Sequence, residues 1–107
     1  MATVKTSGSQ TAVLDTEHTL ATVTDAGTYQ LVVDAALLVN DETLELRIYG
    51  KARTGDTERL LYFASFEHAQ TAPLKASIAV VSPHHAKFTL LQSGGTGRAF
   101  PWAVYEL

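Results

Sequence analysis

The chain contains 107 residues, with 8 Lys and Arg side chains against 11 Asp and Glu, no cysteine, and 46% hydrophobic residues. This length supports one domain with a single core, and the lack of cysteine excludes disulfides and cysteine nucleophiles. The longest apolar runs are far shorter than the roughly 20 residues of a membrane-spanning helix. A net charge of −3 with interspersed signs also argues against nucleic acid and anionic membranes as partners. We therefore expect a protein that is made and assembled in the cytoplasm.

Residues 1–12 are small and polar, and Val4 is their one isolated large apolar side chain. Nothing in this segment could anchor a core, so the sequence predicts an N-terminal arm that is flexible or becomes ordered on a partner. Residues 13–107 are predicted to form a single β domain.

From Val13 onward the apolar residues recur mostly at every second position, and threonine and valine are abundant, which is typical of half-buried strands. Turn residues separate the strands at intervals of 8 to 15 residues. The pattern predicts an all-β fold, a compact β-sandwich or barrel of jelly-roll type with 7–8 mainly antiparallel strands. In chain order the predicted strands are 12–15, 19–24, 29–34, 43–53, 58–67, 74–81, 87–92 and 98–107.

Three segments depart from simple alternation. Asp34 can cap one short helical turn near residues 35–39, which would place Leu37 or Leu38 under the sheet. Residues 58–67 carry apolar groups on both faces, which indicates that a second layer or another subunit covers that strand. Pro101 lacks an amide hydrogen, so the last strand is expected at an edge or with a local kink.

The glycine-rich segment 93–98 could cradle a phosphate, but no helix and no Lys-Ser/Thr pair follow it, so a hairpin turn is favoured. Four histidines raise the possibility of a metal site. His84 and His85 are adjacent and would point to opposite faces of a strand, and no other spacing places two histidines on one side. We interpret them as a solvated turn pair and expect no metal and no cofactor.

Two carboxylate pairs, Asp15 with Glu17 and Asp41 with Glu42, are the minimum for glycoside hydrolysis or a calcium site. Neither lies in an apolar cleft that the sequence reveals, so solvated turn acids are favoured, and no Gly-x-Ser-x-Gly nucleophile motif is present. A basic stripe along residues 47–53 is too small for a nucleic-acid groove. The sequence therefore predicts no catalytic residues, and we expect a protein that is not an enzyme.

Aromatic and long apolar side chains exceed what one inner sheet face of so small a domain needs. One interpretation is that they all fill the core; the other is self-association, since Trp, Tyr and Arg are favoured in buried interfaces. The aromatic residues in question are Tyr49, Tyr62, Phe63, Phe66, Phe100, Trp102 and Tyr105. The interface candidates are Val4, Tyr49, Phe63, Arg98, Trp102 and Tyr105.

Segments 19–29 (TLATVTDAGTY), 31–34 (LVVD), 44–48 (LELRI) and 88–102 (FTLLQSGGTGRAFPW) share one pattern. This pattern resembles small virion structural proteins of tailed bacteriophages. The resemblance covers residues 18–107 and leaves out the N-terminal arm.

The resemblance implies a capsid decoration, or cement, protein on the capsid exterior of the virion. Its partners would be the major capsid protein and further copies of itself, with a homotrimer that binds between capsid subunits and stabilises the shell. Two alternatives remain open. One is a head-completion or tail-assembly protein that forms a ring or tube, and the other is a carbohydrate- or host-surface-binding β module in which Trp102 and Tyr105 stack on sugar rings.

Overall fold

A computed structural model describes residues 2–107, and the predicted all-β fold is confirmed. The described part of the chain contains no helix that could cross a membrane. Its nine strands are β1 (Thr3–Thr11), β2 (His18–Val23), β3 (Gly27–Asp34), β4 (Thr43–Gly50), β5 (Arg59–Glu67), β6 (Leu74–Ala76), β7 (Val80–Ser82), β8 (Ala86–Ser93) and β9 (Ala99–Glu106).

The strands form two sheets, and every pairing is antiparallel. Sheet A has the order β1-β9-β3-β6, with β7 also paired to β3, and sheet B has the order β2-β8-β4-β5. Strands β6 and β7 lie along two ends of β3, so they act as one interrupted edge strand. Counted in that way, eight strands follow the order of a jelly-roll sandwich.

The core lies between the sheets and is formed by alternate side chains of the central strands. Leu44, Leu46 and Ile48 of β4 are fully buried, and Leu46 lies opposite Leu90 of β8. Leu31 of β3 closes the core from sheet A. Each such side chain contributes roughly 1.5–3 kcal/mol when removed from water, so this period-two pattern fixes which face of each strand points inward.

The N-terminal segment differs from the predicted arm, because residues 3–11 form strand β1 along β9. Almost all of its side chains are exposed, which explains why no apolar pattern reveals it. Its attachment comes from the backbone ladder with β9, where Gly8 lies opposite Trp102. Beyond the strand, the amide of Ala12 donates to the carbonyl of Arg98 over 2.8 Å, and Ala12 is buried. The segment is thus an edge strand of its own domain.

The predicted helical turn near residues 35–39 is absent, and two successive tight turns replace it. The amide of Leu38 donates to the carbonyl of Ala35, and Asp34 accepts from the amide of Ala36 as a cap would. Leu38 is the leucine buried under the sheet, whereas Leu37 is 53% exposed. A helix cannot continue because the next free amide, that of Val39, donates to the side chain of Glu42 instead.

Three other boundaries differ from the predicted strands. Residues 12–15 form a loop in which Asp15 adopts a positive φ of 61°. The predicted strand 74–81 is interrupted at Ser77, whose hydroxyl accepts from the amide of Leu31. Strand β9 is central in sheet A, but its ladder with β3 ends at Trp102. Pro101 therefore has only β1 beside it, and its missing amide is tolerated.

Candidate interaction surfaces

A buried carboxylate organises one end of the sandwich. Glu42 is 1% exposed and accepts hydrogen bonds from the amides of Val39 and Thr96, each over 3.1 Å. The Arg98 guanidinium forms a bidentate pair with it, with Nη2 at 2.9 Å. The Arg98 hydrogen bonds hold the pKa of Glu42 below its usual range, against the opposing effect of burial. Glu42 is therefore ionised and structural, not the solvated turn acid that the sequence predicts.

The glycine-rich segment wraps around this carboxylate. Gly94 and Gly95 adopt positive φ values of 76° and 66°, and a Cβ atom on Gly95 would overlap the Glu42 side chain. Buried Gln92 completes the loop by donating to the carbonyls of Gly94 and Thr96. The predicted hairpin is wrong, because the loop leads from β8 in sheet B to β9 in sheet A. The anion that this loop binds is therefore the chain's own Glu42 carboxylate.

The outer face of sheet B is covered by paired charges. Glu17 accepts hydrogen bonds from the hydroxyls of Tyr49 (2.7 Å) and Thr89 (2.6 Å). Burial raises the pKa of Glu17, but these two hydrogen bonds, together with the positive charges of Arg47 and Lys87, outweigh it and the pKa is lowered. Arg47 pairs with Glu45 over 2.8 Å and lies above the Phe63 ring, 5.2 Å from its centroid. Long charged side chains thus shield the aromatic rings, as expected of a face in contact with water.

One group of charges lies at the end of the sandwich beside β4 and β5. Lys87 lies above the Tyr49 ring and pairs with Glu58 over 2.9 Å, while His85 also contacts Glu58 at 2.5 Å. The hydrogen bonds from Lys87 and His85 lower the pKa of Glu58. The predicted basic stripe does not form, because β4 ends at Gly50 and the remaining stripe residues lie in the following loop.

The histidines do not form a metal site within residues 2–107, where no group of three potential ligands is found. His18 accepts from the amide of Val13 over 2.9 Å, and His68 accepts from the amide of Asp41 over 3.0 Å. His84 and His85 are both partly buried, so they are not the solvated pair predicted from the sequence. The histidines with hydrogen bonds therefore hold loops in place.

Strand β5 forms the open edge of sheet B, and we call its exposed apolar residues Leu60, Leu61 and Phe63 the β5 edge. These side chains are 52, 51 and 47% exposed. A groove of about 290 Å³ runs beside them and is lined in part by Leu60, Leu61, Val81 and Pro83. The strand has nine residues and no proline, and its one irregularity against β4 lies between Tyr62 and Leu60. Such an edge can accept another strand.

The outer face of sheet A, called here the sheet A face, consists of the outward positions of β1, β9, β3, β6 and β7. Asp34 is its single charged residue among the residues that the structure describes. Val4, Leu74 and Val81 are 59, 65 and 75% exposed. Serine, threonine and glutamine provide the polar positions, and the apolar ones are Val4, Val32, Leu74, Ala76, Val81, Ala99, Pro101, Ala103 and Tyr105.

The structure places four of the six interface candidates on the two outer faces. Val4 and Tyr105 lie opposite each other on the sheet A face. Tyr49 and Phe63 lie on the outer face of sheet B, under Lys87 and Arg47.

The other two candidates are engaged within the chain. Trp102 packs against the core beside Gly8, so it faces inward, and Arg98 is held by Glu42. Sequence reasoning missed Leu74 and Val81, whose signal was the irregular alternation of residues 74–81.

Comparison of the chain with protein-family models, curated proteins and solved structures finds no match. What the β5 edge and the sheet A face bind is therefore inferred from their own chemistry and from the resemblance in the strand pattern.

Proposed function

We propose that the protein is a structural subunit of a tailed bacteriophage particle, a capsid decoration protein that self-associates as a trimer and stabilises the shell by binding between subunits of the major capsid protein. The β5 edge carries the self-association part of this proposal. The resemblance supports the virion assignment, while the jelly-roll order alone does not, because capsid domains and lectins share it.

The β5 edge combines two properties of an assembly contact. Its outer backbone groups have no neighbouring strand in sheet B, and Leu60, Leu61 and Phe63 add apolar area on that edge. Edges of monomeric proteins are commonly protected by charge, proline or a covering loop. Strand β5 has no proline, and Arg47 covers Phe63, so the exposed Leu60 and Leu61 are the apolar positions on which the contact depends. A ring of three copies would join the β5 edge of one copy to a different surface of the next.

The head-completion or tail-assembly role uses the same edge and differs only in the number of copies.

The carbohydrate-binding alternative loses its main support. Trp102 and Tyr105 are separated by an odd number of positions on one strand, so they point to opposite faces of β9 and cannot form one stacking platform.

The number of copies in purified particles of the source phage tests the virion role. Quantitative mass spectrometry should find a copy number that approaches that of the major capsid protein. A handful of copies would favour a neck or tail ring and contradict decoration, and absence from the particle would refute the virion role altogether.

The self-association part is tested with Leu61→Lys and the matched control Leu37→Lys. Leu61 and Leu37 are almost equally exposed, at 51 and 53%, but Leu37 lies in the turn segment between β3 and β4 and not on β5. Light scattering should show that L61K prevents the trimer whereas L37K leaves it intact. Equal masses for both variants and the unmodified protein would show that the β5 edge is not the contact.

A further inference from the structure

We infer that the sheet A face is a second, independent contact surface and that its occupant is the same face of another copy, so that two sandwiches associate back to back. This inference goes beyond the proposed function, because it concerns a contact that does not use the β5 edge or the shell.

The contrast between the two outer faces is the first reason. On sheet B, Arg47 and Lys87 lie over aromatic rings and pair with acids, so that face is already shielded. The sheet A face has no comparable cover within residues 2–107. Lys5 is diverted to Asp25, 2.6 Å away beside β2, and Lys75 points inward over Phe66. Exposed apolar groups without charged cover mark surfaces that become buried.

Size is the second reason. The protein measures 40 × 31 × 18 Å. Because packed sheets lie only about 10 Å apart, we assign the shortest dimension to the direction across the two sheets. The area of the sheet A face is therefore at most about 1,200 Å², and a standard stable interface buries roughly 800 Å² on each partner. Sheets of this kind pack face to face about 10 Å apart with their strands near −30°, which lets small outward side chains interdigitate.

The near absence of charge on the sheet A face indicates which surface binds to it. A partner surface with several charged groups would have to desolvate them against a face whose single charge is Asp34, and Asp34 lies at the end of β3 and accepts from the amide of Ala36. Among the surfaces of the described residues, the one that matches the sheet A face in area and in lack of charge is the sheet A face of another copy. A two-fold axis brings like onto like and needs no other protein.

Tyr105 gives this contact a suitable anchor. It is half-buried beside Val4 and Gln30, and a shallow depression of about 200 Å³ lies next to it, lined in part by Leu74, Pro101 and the carboxylate-bearing Asp34. When two copies pair through this face, Tyr105 of each copy can insert into the depression of the other. Tyrosine is also among the residues enriched at the centres of interfaces.

The test uses Ala103→Glu, which places a charge between Ser7 and Val32 in the middle of the face, and Ala76→Glu at an exposed position of β6. The control, Thr22→Glu, adds the same charge at an exposed position of β2 on sheet B. Melting curves verify folding, and A76E serves if A103E does not fold. Sedimentation across a concentration series should give the unmodified protein an even number of copies, which is six where the trimer also forms, and A103E or A76E should halve that mass.

The charge should weaken the contact by roughly a hundredfold, because an unpaired carboxylate is buried between two apolar faces. T22E should leave the mass unchanged. Either a monomeric unmodified protein or charged variants that keep its mass would overturn the inference. Charged variants that keep the mass but no longer bind emptied capsids would overturn it in favour of the shell as occupant. A loss of trimer in L61K combined with no effect of A103E would leave the proposed function standing and remove this inference.

Discussion

Replacing Glu42 with glutamine tests whether one buried carboxylate holds the glycine-rich loop. The substitution keeps the size of the side chain and removes the charge. It also turns one oxygen into an amide that faces either Val39 and Arg98 or Thr96 and Arg98, all of which are donors themselves. The variant therefore has one acceptor oxygen fewer, and its new side-chain amide points at groups that are themselves hydrogen-bond donors.

The expected cost follows from these contacts. Losing a partner of a buried ion pair costs about 3–5 kcal/mol, but the partner here is partly in water, since the Arg98 side chain is 32% exposed. Rehydration of Arg98 reduces the loss, so we expect E42Q to lower the free energy of unfolding by about 2–4 kcal/mol. For a domain of this size that corresponds to a fall in Tm of roughly 10–20 °C.

Urea titration followed by circular dichroism measures this change, with Glu45→Gln as the matched control. Glu45 is also paired with an arginine, but its side chain is 24% exposed on the outer face of sheet B, so E45Q should cost about 0–1 kcal/mol. An E42Q variant within about 1 kcal/mol of E45Q would show that the loop does not depend on the carboxylate.

Three further predictions concern the same framework. Gly95→Ala should destabilise more than Gly55→Ala, because both glycines have positive φ but only at Gly95 would the added Cβ overlap Glu42; equal losses in urea titrations would refute the overlap. The pKa of Glu42 is lowered in the folded state, so its stabilising effect is present above the unfolded pKa and is lost as pH falls through the folded pKa; the unfolding free energy should decline below about pH 5, and less steeply in E42Q. Deleting residues 2–11 should lower Tm and change the fluorescence of Trp102, the single tryptophan, because the ring lies against Gly8; an unchanged spectrum and Tm would return that segment to a dispensable arm.

The class of fold follows directly from the alternation of residues, because the strands that form the core bury one face and expose the other. Leu44, Leu46 and Ile48 illustrate this clearly, since each is fully buried and each lies two positions from the next. Strand β1 could not be predicted in this way. Its stability comes from backbone hydrogen bonds to β9, and backbone hydrogen bonding leaves no mark on side-chain pattern.

The Glu42 cluster could not be predicted because its members are distant in sequence. Glu42 precedes β4, whereas Gln92 and Arg98 flank the glycine-rich loop more than 45 positions later. An acid beside Asp41 in a turn is most often solvated, so only the topology that brings the two loops to one end of the sandwich reveals the pair. The three glycines of that loop were the available signal, since loops rich in glycine allow close approach to an anion.

The two outer faces have nearly the same strand pattern and differ in what covers them. In sheet B the outward positions alternate with the core as regularly as they do in sheet A, yet Arg47 and Lys87 fold back over Phe63 and Tyr49 and find acids within 3 Å. That arrangement satisfies the charges and removes the rings from direct contact with partners. In sheet A the Lys5 side chain pairs with Asp25 instead of lying over the face, so Val4 and Tyr105 have no charged side chain above them. Whether an apolar residue can act as a contact residue therefore depends on which charged side chains lie beside it. Strand register decides those neighbours, and the type of the apolar residue does not.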